Sequence, residues 1–219
     1  EMNPSQIVVC WDGRGGSRKR KQQNKNYKEG RKPPRLNRGA RVLTESEERT
    51  NKSWQLQRLT EYFNEMPLMQ FMFSGVEADD VIAYLARHKH YESWQKVIVS
   101  SDKDFFQLLD DKTVLYRPVQ KQVLNKKNLI EKHNIHPNNF ALARAMAGDK
   151  SDNLEGVGNI GLATAYKRFP FLSGSDPVTL TEILKYSEEQ LKNRKLKAYE
   201  NVVNNSDILK RNYKMMQLY

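Results

Sequence analysis

Short apolar runs alternate with amphipathic stretches along the first half of the chain. Four of these runs have the length and apolar content of buried strands: residues 6–11 (QIVVCW), 68–73 (LMQFMF), 96–101 (KVIVSS) and 113–118 (TVLYRP). Between them, residues 45–66 and 79–90 place apolar side chains at helical spacing. Strands that alternate with helices predict an α/β fold with a parallel sheet. From residue 125 onward the pattern is largely helical.

Acidic residues follow three of the predicted strands. In chain order they are Asp12, then Glu77, Asp79 and Asp80, then Asp102 and Asp104. Ligands of open α/β sheets bind in the crevice beyond the carboxyl ends of the strands, so we expect these side chains to converge. Two simpler interpretations remain open. Asp12 can belong to an ordinary Asp-Gly turn, and acids in the first turn of a helix favour its dipole.

Residues 147–165 (AGDKSDNLEGVGNIGLATA) combine an acidic pair with a run of glycines. These acids and glycines are Asp149, Asp152, Gly156, Gly158 and Gly161. Val157 and Ile160 are apolar anchors of a kind that flexible linkers rarely contain. A glycine turn at the start of a helix exposes N–H groups that can hold a phosphate. The segment therefore predicts metal-binding carboxylates beside a phosphate-binding turn, although a helix cap followed by a flexible loop fits the same residues.

The positive charge of the chain is concentrated in one segment. The net charge is +11 and the pI is near 9.6, and residues 14–41 hold twelve Lys or Arg against one acid, Glu29. A basic stretch of this size indicates a polyanionic partner. The single cysteine, Cys10, excludes an internal disulfide, and no apolar run reaches the roughly eighteen residues of a membrane span. We therefore expect a cytoplasmic protein with no membrane partner.

The segment SGVEADD (residues 74–80), the segment SSDKDFFQL (residues 101–109) and the glycine segment follow one another along the chain. Together they resemble the structure-specific 5′ nucleases, the flap endonucleases and 5′→3′ exonucleases of phages and bacteria, including the phage ribonuclease H type. The resemblance implies a PIN-like parallel-sheet nuclease core over residues 1–135, with a helical arch at about residues 14–50. A helix-three-turn-helix and C-terminal helical region would occupy residues 136–219. The implied activity is metal-dependent hydrolysis of phosphodiester bonds in DNA from the 5′ end, in replication or repair.

The same resemblance assigns the acids to two divalent ions. Asp12, Glu77, Asp79 and Asp80 correspond to ligands of the principal ion, and Asp102, Asp104, Asp149 and Asp152 to ligands of the second. Eight carboxylates at close range repel one another unless cations balance them, and few basic residues lie beside them in the sequence. Oxygen-only ligands suit Mg²⁺ or Mn²⁺, and two such ions about 3.5–4 Å apart can activate a water and stabilise the leaving oxygen. A potassium ion held by the backbone near Val157 and Ile160 is also implied.

Within the basic segment, Tyr27, Lys28 and Arg31 (YKEGR) resemble the clamp motif of these nucleases. Lys28 and Arg31 would neutralise phosphates, and Tyr27 would stack on a base of a single strand. The glycines of the 147–165 segment would hold duplex DNA through its phosphates. The implied partners are DNA with 5′ flaps, nicks or free 5′ ends, and RNA–DNA hybrids. A mobile basic tail is the other interpretation of the segment.

These nucleases also carry a strand and an aspartate upstream of the position of Asp12. Only eleven residues precede Asp12, so we expect a chain extended upstream to be more stable and more active. Three other functions fit part of the pattern. A non-catalytic DNA-binding relative shares the motifs, and a PIN-type ribonuclease shares the acids. A haloacid-dehalogenase-like phosphatase fits least, because it needs a D-x-D pattern that the first strand lacks.

Overall fold

The structure is a computed structural model that describes residues 3–30, 43–193 and 195–218. Its strands, in chain order, are β1 (Val8–Trp11), β2 (Met69–Met72), β3 (Lys96–Val99), β4 (Thr113–Arg117), β5 (Gln122–Leu124), β6 (Gly148–Asp149) and β7 (Leu154–Glu155). Its α-helices are α1 (Arg18–Gln23), α2 (Glu45–Asn64), α3 (Ala78–Arg87), α4 (Lys126–His133), α5 (Pro137–Ala147), α6 (Leu162–Arg168), α7 (Leu180–Asn193), α8 (Lys197–Asn204) and α9 (Ser206–Met216). The four strands and the helical second half predicted from the apolar pattern are all present.

The strands that precede the acids are divided between two small sheets. β1 pairs in parallel with β2, β3 pairs in parallel with β4, and β4 pairs antiparallel with β5. The α/β class with parallel strand pairs is confirmed. No ladder joins the β1–β2 pair to the β3–β5 sheet in the part of the chain that the structure describes. The apolar pattern predicts which segments form β-strands, but it carries no information on which strands pair with one another.

Helix α2 exposes much of the apolar surface that the pattern assigned to an inward face. Trp54 and Tyr62 are 59% and 65% exposed, and Leu56 and Leu59 are about two-fifths exposed. Successive helical residues are rotated by about 100°, so these positions spread around much of the circumference instead of forming one stripe. Helical spacing alone therefore does not place Trp54 in the core, where this apolar pattern would put it.

Helix α5 is the centre of the core. Phe140, Leu142 and Met146 are at most 1% exposed, and the helix packs against α9, α6 and the 3₁₀ turn at residues 104–108. One cluster of buried side chains runs from Tyr27 through α5 to α9, so it crosses the predicted domain boundary at 135/136. That division stays a prediction. Within the described ranges, no helix is both long and apolar enough to cross a bilayer.

Candidate active site

Six of the eight predicted acids line one cavity of about 210 Å³. They are Asp12, Asp79, Asp102, Asp104, Asp149 and Asp152. The acids come from the end of β1, the first turn of α3, the loop and 3₁₀ turn after β3, and the β6–β7 hairpin. The convergence expected from the strand ends is therefore observed, and it draws together segments up to 140 residues apart in the chain.

Asp12 and Asp79 lie where β1 meets α3. Asp12 Oδ1 accepts a 2.9 Å hydrogen bond from the N–H of Ala78, the first residue of α3, which ties the strand end to the helix start. Burial and, to a smaller extent, the negative charge of Asp102 raise the pKa of Asp79 to about 7. The cavity thus holds a carboxyl group whose ionised form is destabilised by its surroundings.

Glu77 and Asp80 face two basic side chains instead of the cavity. Arg20 contacts Glu77 through Nη1 and Asp80 Oδ1 through Nη2 at 2.9 Å, and Lys28 Nζ donates to Glu77 Oε1 at 2.7 Å. Burial alone would raise the pKa of Glu77, but the hydrogen bond from Lys28 and the charge of Arg20 hold it below its usual value. The expectation that these two acids lack compensating bases is wrong, because the basic segment folds back onto α3.

Arg144 compensates a second pair of acids. This arginine of α5 is 9% exposed, donates from Nε to Asp104 Oδ1 at 3.3 Å and contacts Asp149 through Nη2. Burial raises the pKa of Asp104 to about 6 while Arg144 opposes the rise. Asp149 also accepts hydrogen bonds from the N–H and hydroxyl of Ser151, at 2.8 and 2.6 Å. Arg144 was not predicted from the sequence, although an arginine inside the apolar run ALARAMA was the signal for a buried ion pair.

The clamp residues lie inside the site. Tyr27 is 4% exposed, so its ring does not offer the free stacking surface that was expected, and Lys28 is paired with Glu77. Arg31 lies outside the described residues. The segment is docked by the turn at residues 152–153: Lys28 N–H donates to the Asp152 carbonyl at 3.2 Å, and Asn153 Nδ2 donates to the carbonyls of residues 26 and 29.

The three glycines of the 147–165 segment have different surroundings. A Cβ on Gly156 would lie 2.5 Å from the carbonyl oxygens of residues 146 and 147, so this glycine permits close backbone packing. Gly158 has φ +83° and its carbonyl accepts a 2.9 Å hydrogen bond from Asn201. Gly161 precedes α6 with open space around it. The apolar anchors between them, Val157 and Ile160, are buried.

The cavity offers the kind of ligand atoms that a hard divalent cation prefers, but the side chains are not positioned closely enough to bind one together. Its acidic donors are all carboxylate oxygens, the ligands that Mg²⁺ and Mn²⁺ prefer. Among residues 3–30, 43–193 and 195–218, however, no three His, Cys, Asp or Glu side chains are grouped closely enough to hold one ion. Arg20, Lys28 and Arg144 engage four of the eight acids, and two of these four, Asp104 and Asp149, line the cavity.

Residues 1–134 match the family described as "5'-3' exonuclease, N-terminal resolvase-like domain". The chain belongs to this 5′-3′ exonuclease family. Over 111 residues it is 36% identical to a 5′-3′ exonuclease of Buchnera aphidicola, covering 51% of this chain and 39% of that protein. Over 163 residues it is 32% identical to the flap endonuclease Xni of a Shewanella species, covering 74% of this chain and 56% of that protein. The chain thus spans about two-fifths to just over half the length of these relatives.

Solved structures confirm the fold of this 5′-3′ exonuclease family member. The T5 5′-exonuclease with bound divalent metal ions (zinc) superposes with a TM-score of 0.73 at 23% identity, covering 97% of this chain and 74% of that one. A bacteriophage T5 flap endonuclease in a complex with DNA and metal ions gives the same TM-score at 22% identity, covering 95% of this chain and 72% of that one. The resemblance recognised in the three motifs is therefore confirmed at the level of family and fold.

Residues beyond the span matched to the 5′-3′ exonuclease family complete the site. Met215, Met216 and Leu218 form an apolar wall of the acidic cavity. Gln107 holds this wall, since its Nε2 donates to the carbonyls of Asp104 and Met216 at 2.8 and 3.0 Å and its Oε1 accepts from the N–H of Leu218 at 3.0 Å. Sequence reasoning missed this wall, because no local signal links the end of α9 to the acids.

Proposed function

We propose that this chain is a metal-dependent 5′ nuclease that hydrolyses phosphodiester bonds in DNA, as a 5′→3′ exonuclease, a flap endonuclease or both. One observation carries the proposal: six aspartates from separate segments line one cavity in a chain of the 5′-3′ exonuclease family. A cluster of carboxylates repels a phosphodiester, which is also negatively charged, unless metal cations balance the charge. The six aspartates therefore fit metal-dependent hydrolysis of a phosphodiester bond. The substrates we propose are DNA with 5′ flaps, nicks or free 5′ ends, with RNA–DNA hybrids as a further class.

The eight acids would provide the ligands for two Mg²⁺ or Mn²⁺ ions. We assign Asp12, Glu77, Asp79 and Asp80 to the principal ion and Asp102, Asp104, Asp149 and Asp152 to the second. Two bound ions would supply an activated water and stabilisation of the leaving oxygen. The chain's own contribution is positional: the hydrogen bond from Ala78 orients Asp12, and Ser151 orients Asp149. The metal-bound T5 5′-exonuclease and the T5 flap endonuclease complex with DNA and metal ions share this fold, which supports the metal requirement of the proposal.

DNA would be held by the basic segment and by the glycine turn. Arg18, Lys21 and Lys25 line an open groove along α1, and their side chains are exposed. Cations in such a position attract a phosphate backbone without regard to its sequence. We assign binding of the single DNA strand that enters the cavity to Tyr27, Lys28 and Arg31. We assign binding of duplex DNA to Gly156, Gly158 and Gly161. A K⁺ ion at the backbone of Val157 and Ile160 and action in the cytoplasm of a bacterial or phage-infected cell belong to the same proposal.

A flap substrate labelled at its 5′ end tests the function directly. The chain should release labelled product in Mg²⁺ and none in EDTA, and Asp79→Ala should abolish release while binding measured in Ca²⁺ stays nearly unchanged. Asp207→Ala is the matched control, because Asp207 is a fully exposed acid of α9. If Asp79→Ala reduced DNA binding as much as cleavage, the acids would act in DNA binding and not in the cleavage step.

A non-catalytic DNA-binding function is the second candidate. It is favoured by the pairing of four acids with Arg20, Lys28 and Arg144, since paired acids cannot hold ions as they stand. The same assay separates the two functions. Tight flap binding with no product at any Mg²⁺ or Mn²⁺ concentration would establish binding alone, and cleavage of a matched RNA strand in preference to DNA would indicate a ribonuclease.

A further inference from the structure

Two of the acids assigned to the principal ion, Glu77 and Asp80, are held by basic side chains instead of lining the acidic cavity. Arg20 is inserted between α3 and the end of α9. Its guanidinium contacts Glu77 and both carboxylate oxygens of Asp80, and its Nε donates to the Met215 carbonyl at 3.0 Å. The Arg20 side chain is 12% exposed and the Glu77 side chain 4% exposed, so the pair is largely shielded from water.

Lys28 closes the other side of Glu77. Its Nζ lies 2.7 Å from Glu77 Oε1, while Arg20 contacts Oε2 of the same carboxylate. Lys28 has φ +55°, in the left-handed region that a lysine rarely adopts, and its N–H is bonded to the Asp152 carbonyl. The backbone of this segment is therefore held in an uncommon conformation that keeps the ammonium group on Glu77.

Both oxygens of Glu77 and both oxygens of Asp80 are thus engaged by cationic side chains. A divalent ion needs direct access to carboxylate oxygens in its inner coordination shell. An ion bound to these oxygens would lie close to the Arg20 guanidinium and the Lys28 ammonium, and the positive charges would repel one another. In their present positions the basic side chains therefore oppose the binding of an ion to these two acids, and their movement away would relieve that opposition.

We propose that Arg20 and Lys28 form an internal cation latch, which holds Glu77 and Asp80 before a divalent ion binds and is displaced from them when it binds. The inference rests on the metal requirement in the proposed function and adds a competition to it. The latch keeps the acids near α3 compensated while the site is metal-free. Its displacement couples ion binding to the release of two positive side chains of the basic segment beside the cavity.

Mn²⁺ binding to the full chain without DNA tests the latch, with the free ion measured by electron paramagnetic resonance. Arg20→Gln and Lys28→Gln each remove one competing charge, and each should tighten Mn²⁺ binding by about fivefold or more, the effect of one unit charge at contact distance even in water. Lys19→Gln is the matched control, because Lys19 is an exposed basic residue of the same helix and lines neither the cavity nor the groove. Its Mn²⁺ affinity should equal that of the unmodified chain.

Unchanged or weaker Mn²⁺ binding by both variants, with their melting temperatures retained, would overturn the latch. If the unmodified chain and every variant bind no Mn²⁺, the metal requirement of the proposed function fails as well. If Arg20→Gln bound Mn²⁺ and the unmodified chain bound none, Arg20 would be the side chain that keeps the ion out, which would support the latch most strongly. The three results are therefore distinguishable.

A measurement on the unmodified chain keeps the test valid if Arg20→Gln does not fold. An amine-reactive reagent should label Lys28 several times faster after Mn²⁺ is added, because displacement frees the ammonium group from Glu77. Lys25, an exposed lysine of the same segment, provides the internal reference by mass spectrometry. A Lys28 labelling rate that, normalised to Lys25, stays the same or falls when Mn²⁺ is added would contradict displacement.

Discussion

Gly156 and Gly161 belong to one glycine run, yet the structure predicts a large loss of stability for one alanine replacement and almost none for the other. At Gly156 an added Cβ would lie 2.5 Å from the carbonyl oxygens of Met146 and Ala147, well inside van der Waals contact. These are backbone atoms at the end of α5, so no side chain can rotate to relieve the contact. At Gly161 nothing lies within 4 Å of an added Cβ, and φ is −90°, which any residue adopts.

The cost of Gly156→Ala follows from this overlap. The hairpin of β6 and β7 must separate from the end of α5 by close to an ångström, and the hydrogen bond from Val157 N–H to the Met146 carbonyl, 2.9 Å long, lies in the same contact. Overpacking of this kind costs about 1–3 kcal/mol, occasionally more. For a chain of 219 residues that corresponds to a fall in Tm of about 2–12 °C.

Thermal unfolding in EDTA, followed by circular dichroism, measures the difference between the two variants. For Gly161→Ala, a lower unfolded-state entropy stabilises by about 0.4–1 kcal/mol, and alanine is a poorer N-cap than glycine by about 0.5–1 kcal/mol, so the net change should be small. Flap cleavage should also fall in Gly156→Ala, because the displaced hairpin carries Asp149 and Asp152. Equal Tm values for the two variants would refute the assignment of Gly156 to close backbone packing.

Two further predictions concern the buried charges and the basic groove. Arg144→Met leaves Asp104 and Asp149 without their cation, so unfolding in urea with EDTA should show a loss of about 3–5 kcal/mol, and a loss below about 1 kcal/mol would contradict the pairing. Lys21→Gln removes one exposed cation of the α1 groove, so the slope of log K against log salt for duplex DNA should fall by about 0.9. Lys127→Gln, a lysine of α4 whose side chain is 81% exposed, is the control, and an equal change in its slope would exclude a specific role for the groove.

The acids of the cavity could be found from the sequence because their positions are set locally. Asp12 and Asp102 each follow an apolar run, and chain direction places the ends of parallel strands on the same side of the fold. Asp149 and Asp152 are marked by their spacing beside the glycines. In the same way, Val157 and Ile160 identified the glycine run as an anchored turn, and both are buried.

The charges that oppose these acids were decided only by the tertiary structure. Arg20 meets Glu77 across 57 positions, Lys28 meets it across 49, and Arg144 meets Asp104 across 40. Periodicity and spacing describe which face of an element is apolar over a few turns, and they carry no information on which distant side chain will lie opposite. Pairing at such separations depends on the tertiary path of the backbone. Only that path brings the basic side chains of residues 20 and 28 against Glu77.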